Sequence, residues 1–319
     1  MQNFIRVYDL HASVFCDAPT CDCVVALGNF DGVHSAHQIL LHRAARLSNE
    51  RAKNSPCCSA VWCFDPPSSD FLGKSQGHLT TLKEKLKSFA DCDIDYVFLG
   101  SFPAFRSLSP DYFIDQILKQ QARAVGVVCG YHFRFGKGGK GDTAVLQQAF
   151  GESKVDIIPP ICMPADGQEI VISASAVRAA LAKGDVECAA RLLGHPYSLS
   201  AVVTHGKQLG RVLGFPTINQ NAPSDKLLPL NGIYITRCRV DGMILHGVTN
   251  VGIRPTVDFT DATVNCETHI LDANIDLYDK TVTVEFLSRL RNEQRFDSVN
   301  LLKTAVMHDV EQAKKYLIR

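Results

Sequence analysis

Cys23-Val24-Val25-Ala26-Leu27-Gly28-Asn29-Phe30-Asp31-Gly32-Val33-His34-Ser35-Ala36-His37 passes from a continuous apolar run into a glycine-bearing turn with two histidines. Gln38-Ile39-Leu40-Leu41-His42-Arg43-Ala44-Ala45-Arg46-Leu47 then carries apolar residues at helical spacing. A short unbroken apolar run is typical of a strand buried on both faces of a parallel sheet. Strand, glycine turn and helix in that order open a βαβ unit whose helix N-terminus is available to an anion. His34 and His37 lie three apart at that terminus and could both face a phosphate. A zinc pair and plain surface imidazoles are the competing readings, and no further His/Cys cluster supplies the other zinc ligands.

Outward from this unit the α/β pattern continues. Val61-Trp62-Cys63-Phe64 reads as a second strand, and Asp65-Pro66-Pro67-Ser68-Ser69 as a loop, because proline cannot continue the ladder. Ile94-Asp95-Tyr96-Val97-Phe98-Leu99 is the third strand, and a helix begun at Pro110 is expected over 110–121. Ala124-Val125-Gly126-Val127-Val128-Cys129 is the fourth, followed by a loop over 130–142 rich in glycine and cations. Val155-Asp156-Ile157-Ile158 is the fifth. Each loop falls at the carboxyl end of a strand, where open α/β sheets bind ligands. Ser173 or Ser175 can N-cap a helix that includes Arg178. Capping alone explains both serines; contact of both hydroxyls and Arg178 with a phosphate is the functional alternative. A helix over 186–193 leads to Pro196, where helical periodicity gives way to strand alternation. Domains of 1–195 and 196–319 are expected.

The second half reads as strands over 199–203, 232–240, 243–251, 264–271 and 281–290, a small antiparallel barrel. A final helix from about Asp297-Ser298 presents Leu302, Val306, Val310, Ala313 and Leu317 to it. The connection Thr204-His205-Gly206-Lys207-Gln208-Leu209-Gly210-Arg211-Val212-Leu213-Gly214-Phe215-Pro216-Thr217-Ile218-Asn219 has glycines at 206, 210 and 214, which permit close backbone approach to a ligand. Lys207 and Arg211 add charge. Thr217 and Asn219 offer neutral oxygens suited to a hard cation such as Mg²⁺. No Gly-Lys-Ser/Thr closes the loop, so it is not a Walker loop. A plain Gly-rich hairpin is the competing reading.

Composition narrows the class. Of 319 residues, 46% are hydrophobic and 21% charged, which describes an ordinary globular protein of two domains. Lys+Arg and Asp+Glu are 33 each, so neither a nucleic-acid partner nor an anionic membrane is expected. The 12 cysteines include no Cys-x-x-Cys pair and read as free, mostly core thiols of a cytoplasmic protein. The N-terminus shows no signal peptide, and no apolar run approaches a membrane span.

Four blocks of the second half occur in the order of a flavokinase signature: the 204–219 loop ending Pro216-Thr217-Ile218-Asn219; Gly247-Val248-Thr249-Asn250-Val251-Gly252-Ile253-Arg254-Pro255-Thr256-Val257; Glu267-Thr268-His269-Ile270-Leu271-Asp272; and Arg289-Leu290-Arg291-Asn292-Glu293-Gln294-Arg295-Phe296. Together with Gly28-Asn29-Phe30-Asp31-Gly32-Val33-His34, which follows a nucleotidyltransferase pattern, the chain resembles the bifunctional bacterial riboflavin kinase/FMN adenylyltransferases, or FAD synthetases, over nearly its full length. The resemblance implies an α/β, Rossmann-like nucleotidyltransferase domain with a parallel sheet, then an antiparallel β-barrel kinase domain with a C-terminal helix. It implies phosphorylation of riboflavin by ATP to FMN, and adenylylation of FMN to FAD with release of pyrophosphate. In the kinase it implies Glu267 as general base, Gly206, Lys207, Gly210 and Gly214 on the ATP phosphates, Thr217 and Asn219 on Mg²⁺, and Arg291 on the flavin. In the adenylyltransferase it implies nucleotide contacts from Gly28, Asn29, Phe30, Asp31, His34, His37, Ser173, Ser175 and Arg178, with His132 and Phe133 on the flavin side. The partners implied are small molecules, in a monomer or weak homo-oligomer.

The first domain departs from the family pattern at four places. Ala36 stands for a glycine between the histidines, Pro66-Pro67-Ser68 for Pro-His-Pro, His132 for Asp or Asn, and Ala174 for the middle serine of the helix start. The expectation is adenylyltransferase activity that is present but weak or specialised; the alternative is a monofunctional riboflavin kinase. A flavin-binding sensor and a nucleotidyltransferase for another metabolite are further rivals. Retention of Glu267, Thr217 and Asn219 argues against the sensor, and the four blocks argue against the second.

Overall fold

The computed structural model describes residues 6–9, 19–73, 76–165, 167–206, 210, 214–253, 264–273 and 275–318. It divides into two compact units, Met1–Ala174 and Ser175–Arg319. The helices at 174–193 thus cluster with the strands that follow them.

In chain order the first unit holds β1 (Arg6–Asp9), β2 (Asp22–Leu27), a 3₁₀ turn (Asp31–Val33), α1 (Ser35–Ala52), β3 (Cys57–Phe64), α2 (Ser68–Phe71), α3 (Leu82–Asp91), β4 (Tyr96–Gly100), α4 (Phe102–Phe105), α5 (Pro110–Tyr112), β5 (Ala124–Gly130), α6 (Thr143–Phe150), β6 (Val155–Ile158), β7 (Cys162–Ala165) and β8 (Gln168–Val171). The sheet order is β1-β4-β3-β2-β5-β6, and every pairing is parallel. The apolar run of β2 splits between the two faces: Cys23, Val25 and Leu27 join one core, Val24 and Ala26 the other. From β2 the chain proceeds outward through β3 and β4, then returns to the other side of β2 as β5 and β6. The order therefore reverses between β2 and β5, which opens a crevice at their carboxyl ends.

Three local expectations change. Helix α1 begins at Ser35, because His34 caps it: its Nδ1 accepts from His37 N at 3.3 Å. The helix begun at Pro110 widens after Tyr112 into a π-helix (Phe113–Gln121). Not all cysteines are free: Cys21 and Cys58 form a disulfide. The parallel register that sets Cys23 beside Cys58 brings the starts of β2 and β3 together, which spacing along the chain does not reveal.

The second unit holds α7 (Ala174–Lys183), α8 (Val186–Leu193), β9 (Ser198–Val202), β10 (Thr217–Asn221), β11 (Gly232–Val240), β12 (Met243–Ile253), β13 (Val264–Ile270), β14 (Thr281–Arg291) and α9 (Val299–Leu317). The antiparallel order is β10-β13-β12-β11-β14-β9. Its two ends approach each other: Thr204 N donates to Asn219 O at 2.8 Å, and the buried Gln220 amide donates to Ala201 O and Val282 O at 2.7 and 2.8 Å. The sheet is a nearly closed barrel. Along its inside, the buried hydroxyls of Thr236, Thr249 and Thr268 link β11, β12 and β13 at 2.8 Å each. Ser298 caps α9, and Val310, Ala313 and Leu317 pack on Ile233, Ile235 and Val248.

Candidate active site

Each unit presents one glycine turn with chemistry beside it. In the first, the chain leaves β2 through a tight turn with Phe30, Gly32 and Val33 at φ 50°, 77° and 39°. Phe30 is buried, 5.6 Å edge-on to Phe89 and 5.0 Å from His37. A side chain at Gly28 would press on the Phe30 ring at 3.1 Å. Asp31 is buried, and its Oδ1 accepts from Leu79 N and Thr80 N at 2.9 and 3.3 Å, while Gly32 N donates to Thr80 Oγ1 at 3.1 Å. Phe30 and Asp31 therefore brace the turn. Asn29 is exposed and donates to Ser68 Oγ at 3.3 Å, joining the loops after β2 and β3.

The rings of His34 and His37 stack at 3.6 Å and 15°. Burial lowers the His34 pKa to about 4. Burial, then the charges of His34, Lys85 and His132, hold His37 well below the ordinary range. Both imidazoles are neutral at pH 7. Because His34 Nδ1 accepts the cap bond, its proton sits on Nε2, which makes that nitrogen a donor. The α1 N-terminus adds its own unpaired N–H groups and partial positive charge. His132, on the loop after β5, is exposed, and Phe133 stacks on Phe135 at 5.8 Å. The loops after β2 and β5 thus flank the switch point, as their sequence positions imply. Ser173 precedes α7. Ser175 and Arg178 lie on α7 and belong to the second unit.

In the barrel, register assembles the site. Asn219 on β10 lies opposite Glu267 on β13, and Glu267 lies opposite Asn250 on β12. Asn265, two residues before Glu267 and so on the same face, donates from Nδ2 to Asn219 Oδ1 at 3.3 Å and to Glu267 Oε1 at 3.1 Å. Gly206 stacks on the Asn219 amide so closely that a Cβ would lie 2.5 Å from Asn219 Cγ. Gly210 O accepts from Phe215 N at 2.8 Å, and a Cβ at 210 would lie 3.5 Å from Thr217 Oγ1. Gly214 takes φ 85°, a conformation that favours glycine. Gly206 and Gly210 therefore lie against the Thr217–Asn219 edge, one strand from the Glu267 carboxylate. Lys207 lies outside the described residues. Arg291 is bound to Asp309 of α9 through Nε and Nη2, at 2.9 and 2.7 Å, and its Nη1 donates to Asn292 O. It ties the last helix to the barrel.

The donor set fits a hard divalent cation. Asn265 Oδ1 is buried without a hydrogen-bond partner beside Asn219 and Glu267, and Thr217, Asn219 and Glu267 supply further oxygens. Among the described residues there is no group of three or more His, Cys, Asp or Glu that could hold a metal, which leaves the zinc reading of His34 and His37 unsupported.

Family models described as riboflavin kinase and FAD synthetase match residues 193–317 and 16–175. The bifunctional riboflavin kinase/FMN adenylyltransferase of Escherichia coli K12 is 38% identical over 304 residues, 94% of each chain. Those of Pseudomonas fluorescens and Bacillus subtilis are 37% and 31% identical, over 92% of each chain. This chain belongs to the bifunctional riboflavin kinase/FMN adenylyltransferase family. A crystal structure described as a macrolide-efflux protein from Streptococcus pneumoniae has the same fold, with TM-score 0.82 and 27% identity over 97% of this chain and 99% of its own. Among the described residues no helix is long and apolar enough to cross a membrane.

Against the family pattern, Ala36 falls in the first turn of α1, where alanine is at ease. Pro67 is the residue capping α2, and Ala174 opens α7. Sequence reading did not single out Asn265 or Asn250. Period-two spacing from Glu267 points to Asn265; only strand register points to Asn250.

Proposed function

We propose that the chain converts riboflavin to FMN in the barrel and FMN to FAD in the N-terminal unit, each with ATP. The observation that carries the kinase reading is Asn219 opposite Glu267, with Asn265 bonded to both and the glycine turn against Asn219. An alcohol is a poor nucleophile until its proton is removed, so Glu267 takes the proton of the riboflavin 5′-hydroxyl. The backbone of Gly206, Gly210 and Gly214, with Lys207, holds the ATP phosphates. Thr217 and Asn219 hold Mg²⁺, which neutralises phosphate charge when bound. Arg291, held in place by Asp309 of α9, is the flavin-side residue of the kinase site.

In the N-terminal unit, His34, His37 and the α1 N-terminus hold the triphosphate while the FMN phosphate attacks the α-phosphorus and pyrophosphate leaves. Neutral N–H donors and a helix terminus stabilise the charge developing on that leaving group. Gly28 and Asn29 line the turn, Phe30 and Asp31 support it, and Ser173, Ser175 and Arg178 are the remaining nucleotide contacts. His132 and Phe133 form the flavin side. The functional domains are 1–195 and 196–319. The protein is a cytoplasmic monomer or weak homo-oligomer; nine free cysteines among the described residues favour a reducing compartment, and the Cys21–Cys58 disulfide stands against it. The monofunctional alternative is not adopted, because the FAD synthetase model matches the first unit as well.

Chromatography of products from riboflavin, ATP and Mg²⁺ is the test. FMN appearing first and FAD after it is the expected result; FMN alone, with no FAD from added FMN, overturns the second activity.

A further inference from the structure

Lys85 is a charged side chain only 1% exposed. It lies on α3 one turn before Phe89, which packs edge-on against Phe30 at 5.6 Å, so the two residues share the face turned to the nucleotide turn. Helical side chains lean toward the helix N-terminus. At that end of α3, Leu79 and Thr80 are bonded to Asp31 and Gly32. The face of α3 that carries Lys85 is thereby set against the segment that feeds α1. Its charge bears on His37 and on Cys63, at the carboxyl end of β3.

No described residue forms an ion pair with that charge. Among the described residues Lys85 Nζ donates no hydrogen bond and forms no ion pair. Asp31 spends Oδ1 on the backbone of 79 and 80. The α1 N-terminus carries positive partial charge, and the two imidazoles are neutral. A lysine only 1% exposed and without an ion pair is costly, and one whose charge reaches His37 at the start of α1 is suited to an anionic ligand bound there.

We propose that Lys85 is a polyphosphate-binding residue of the N-terminal unit, its counter-anion being the β- and γ-phosphates of the nucleoside triphosphate. This rests on the adenylyltransferase reading of that unit. As the FMN phosphate oxygen bonds to the α-phosphorus and the bond to the bridging oxygen breaks, the electron pair goes to pyrophosphate. Lys85 holds that charge and transfers no proton.

The test uses the full chain with Lys85→Met, which keeps length and removes charge, and Lys85→Gln as a second variant should the first fail to fold. The melting temperature without ligand is expected to stay or rise. The upward shift that inorganic pyrophosphate gives the wild type is expected to vanish. FAD formation from FMN should fall roughly tenfold or more, as for a lost hydrogen bond to a charged group. Riboflavin phosphorylation should be unchanged. Full FAD formation with an intact pyrophosphate shift overturns the proposal. So does a lowered melting temperature with normal FAD formation per folded molecule, which marks a structural lysine. A wild type that forms no FAD and shows no pyrophosphate shift instead removes the adenylyltransferase reading, and this proposal with it.

Discussion

The two glycine turns solve one problem with different scaffolds. In the N-terminal unit the turn after β2 delivers the chain into a helix, and the anion site is that helix end with two neutral imidazoles, His34 and His37, stacked on it. In the barrel the turn lies against a strand edge. Its chemistry comes from three adjacent strands, where Asn219, Glu267 and Asn250 fall side by side. The first site is built by consecutive residues, the second by register. A local site tolerates changes around it. A register site depends on each strand holding its place, since a one-residue slip turns Glu267 to the opposite face.

The largest effect expected from this contrast is at Glu267. Glu267→Ala should lower riboflavin phosphorylation by about 10²–10⁴-fold, the usual contribution of a general base, with ATP binding retained. Near-normal turnover removes Glu267 from that role. His37→Ala should lower FAD formation by about 10²-fold through lost charge stabilisation, without altering the kinase reaction; parallel loss of both activities breaks the separation of the two sites.

Gly206→Ala is a test of close approach. A methyl there meets the Asn219 amide, so kinase activity should fall at least about tenfold and stability by ~1–3 kcal/mol, measured by urea unfolding. The pH dependence separates the units further. His34 is neutral when folded, with its pKa lowered from 6.5 to about 4. The unfolded chain then binds more protons over that interval, so the stability of the N-terminal unit is full above 6.5 and declines as pH falls toward about 4. Hydrogen exchange of α1 followed against pH checks this, and a flat profile contradicts it. The smallest effect concerns Ala36. Ala36→Gly, which restores the usual family residue, should cost ~0.5–1 kcal/mol of stability and leave FAD formation unchanged within twofold, because position 36 is inside a helix.

How much of this was legible follows from the same contrast. The apolar β2 run, the glycine turn and the helix were read correctly because their signals are local. The start of α1 is less legible, because a histidine beside a glycine turn signals a ligand as readily as the helix cap that His34 is. The hairpin of β7 and β8 and the edge strand β1 are short and carry weak periodicity. In the barrel, the oxygens of Thr217 and Asn219 are legible beside the glycine loop, Glu267 only through the resemblance, and their adjacency requires strand pairing. The bond that holds Arg291 to Asp309 spans 18 residues, and no local pattern announces it. The burial of Lys85 is not legible in the sequence, because a lysine in an amphipathic helix ordinarily faces water.

Assay of Glu267→Ala with riboflavin and, separately, with FMN tests the two-site account most directly. The account predicts FMN formed from riboflavin about 10²–10⁴-fold more slowly, but FAD formed from FMN at the wild-type rate. FMN formed normally from riboflavin, or both reactions lost in a protein whose melting temperature is unchanged, would contradict it.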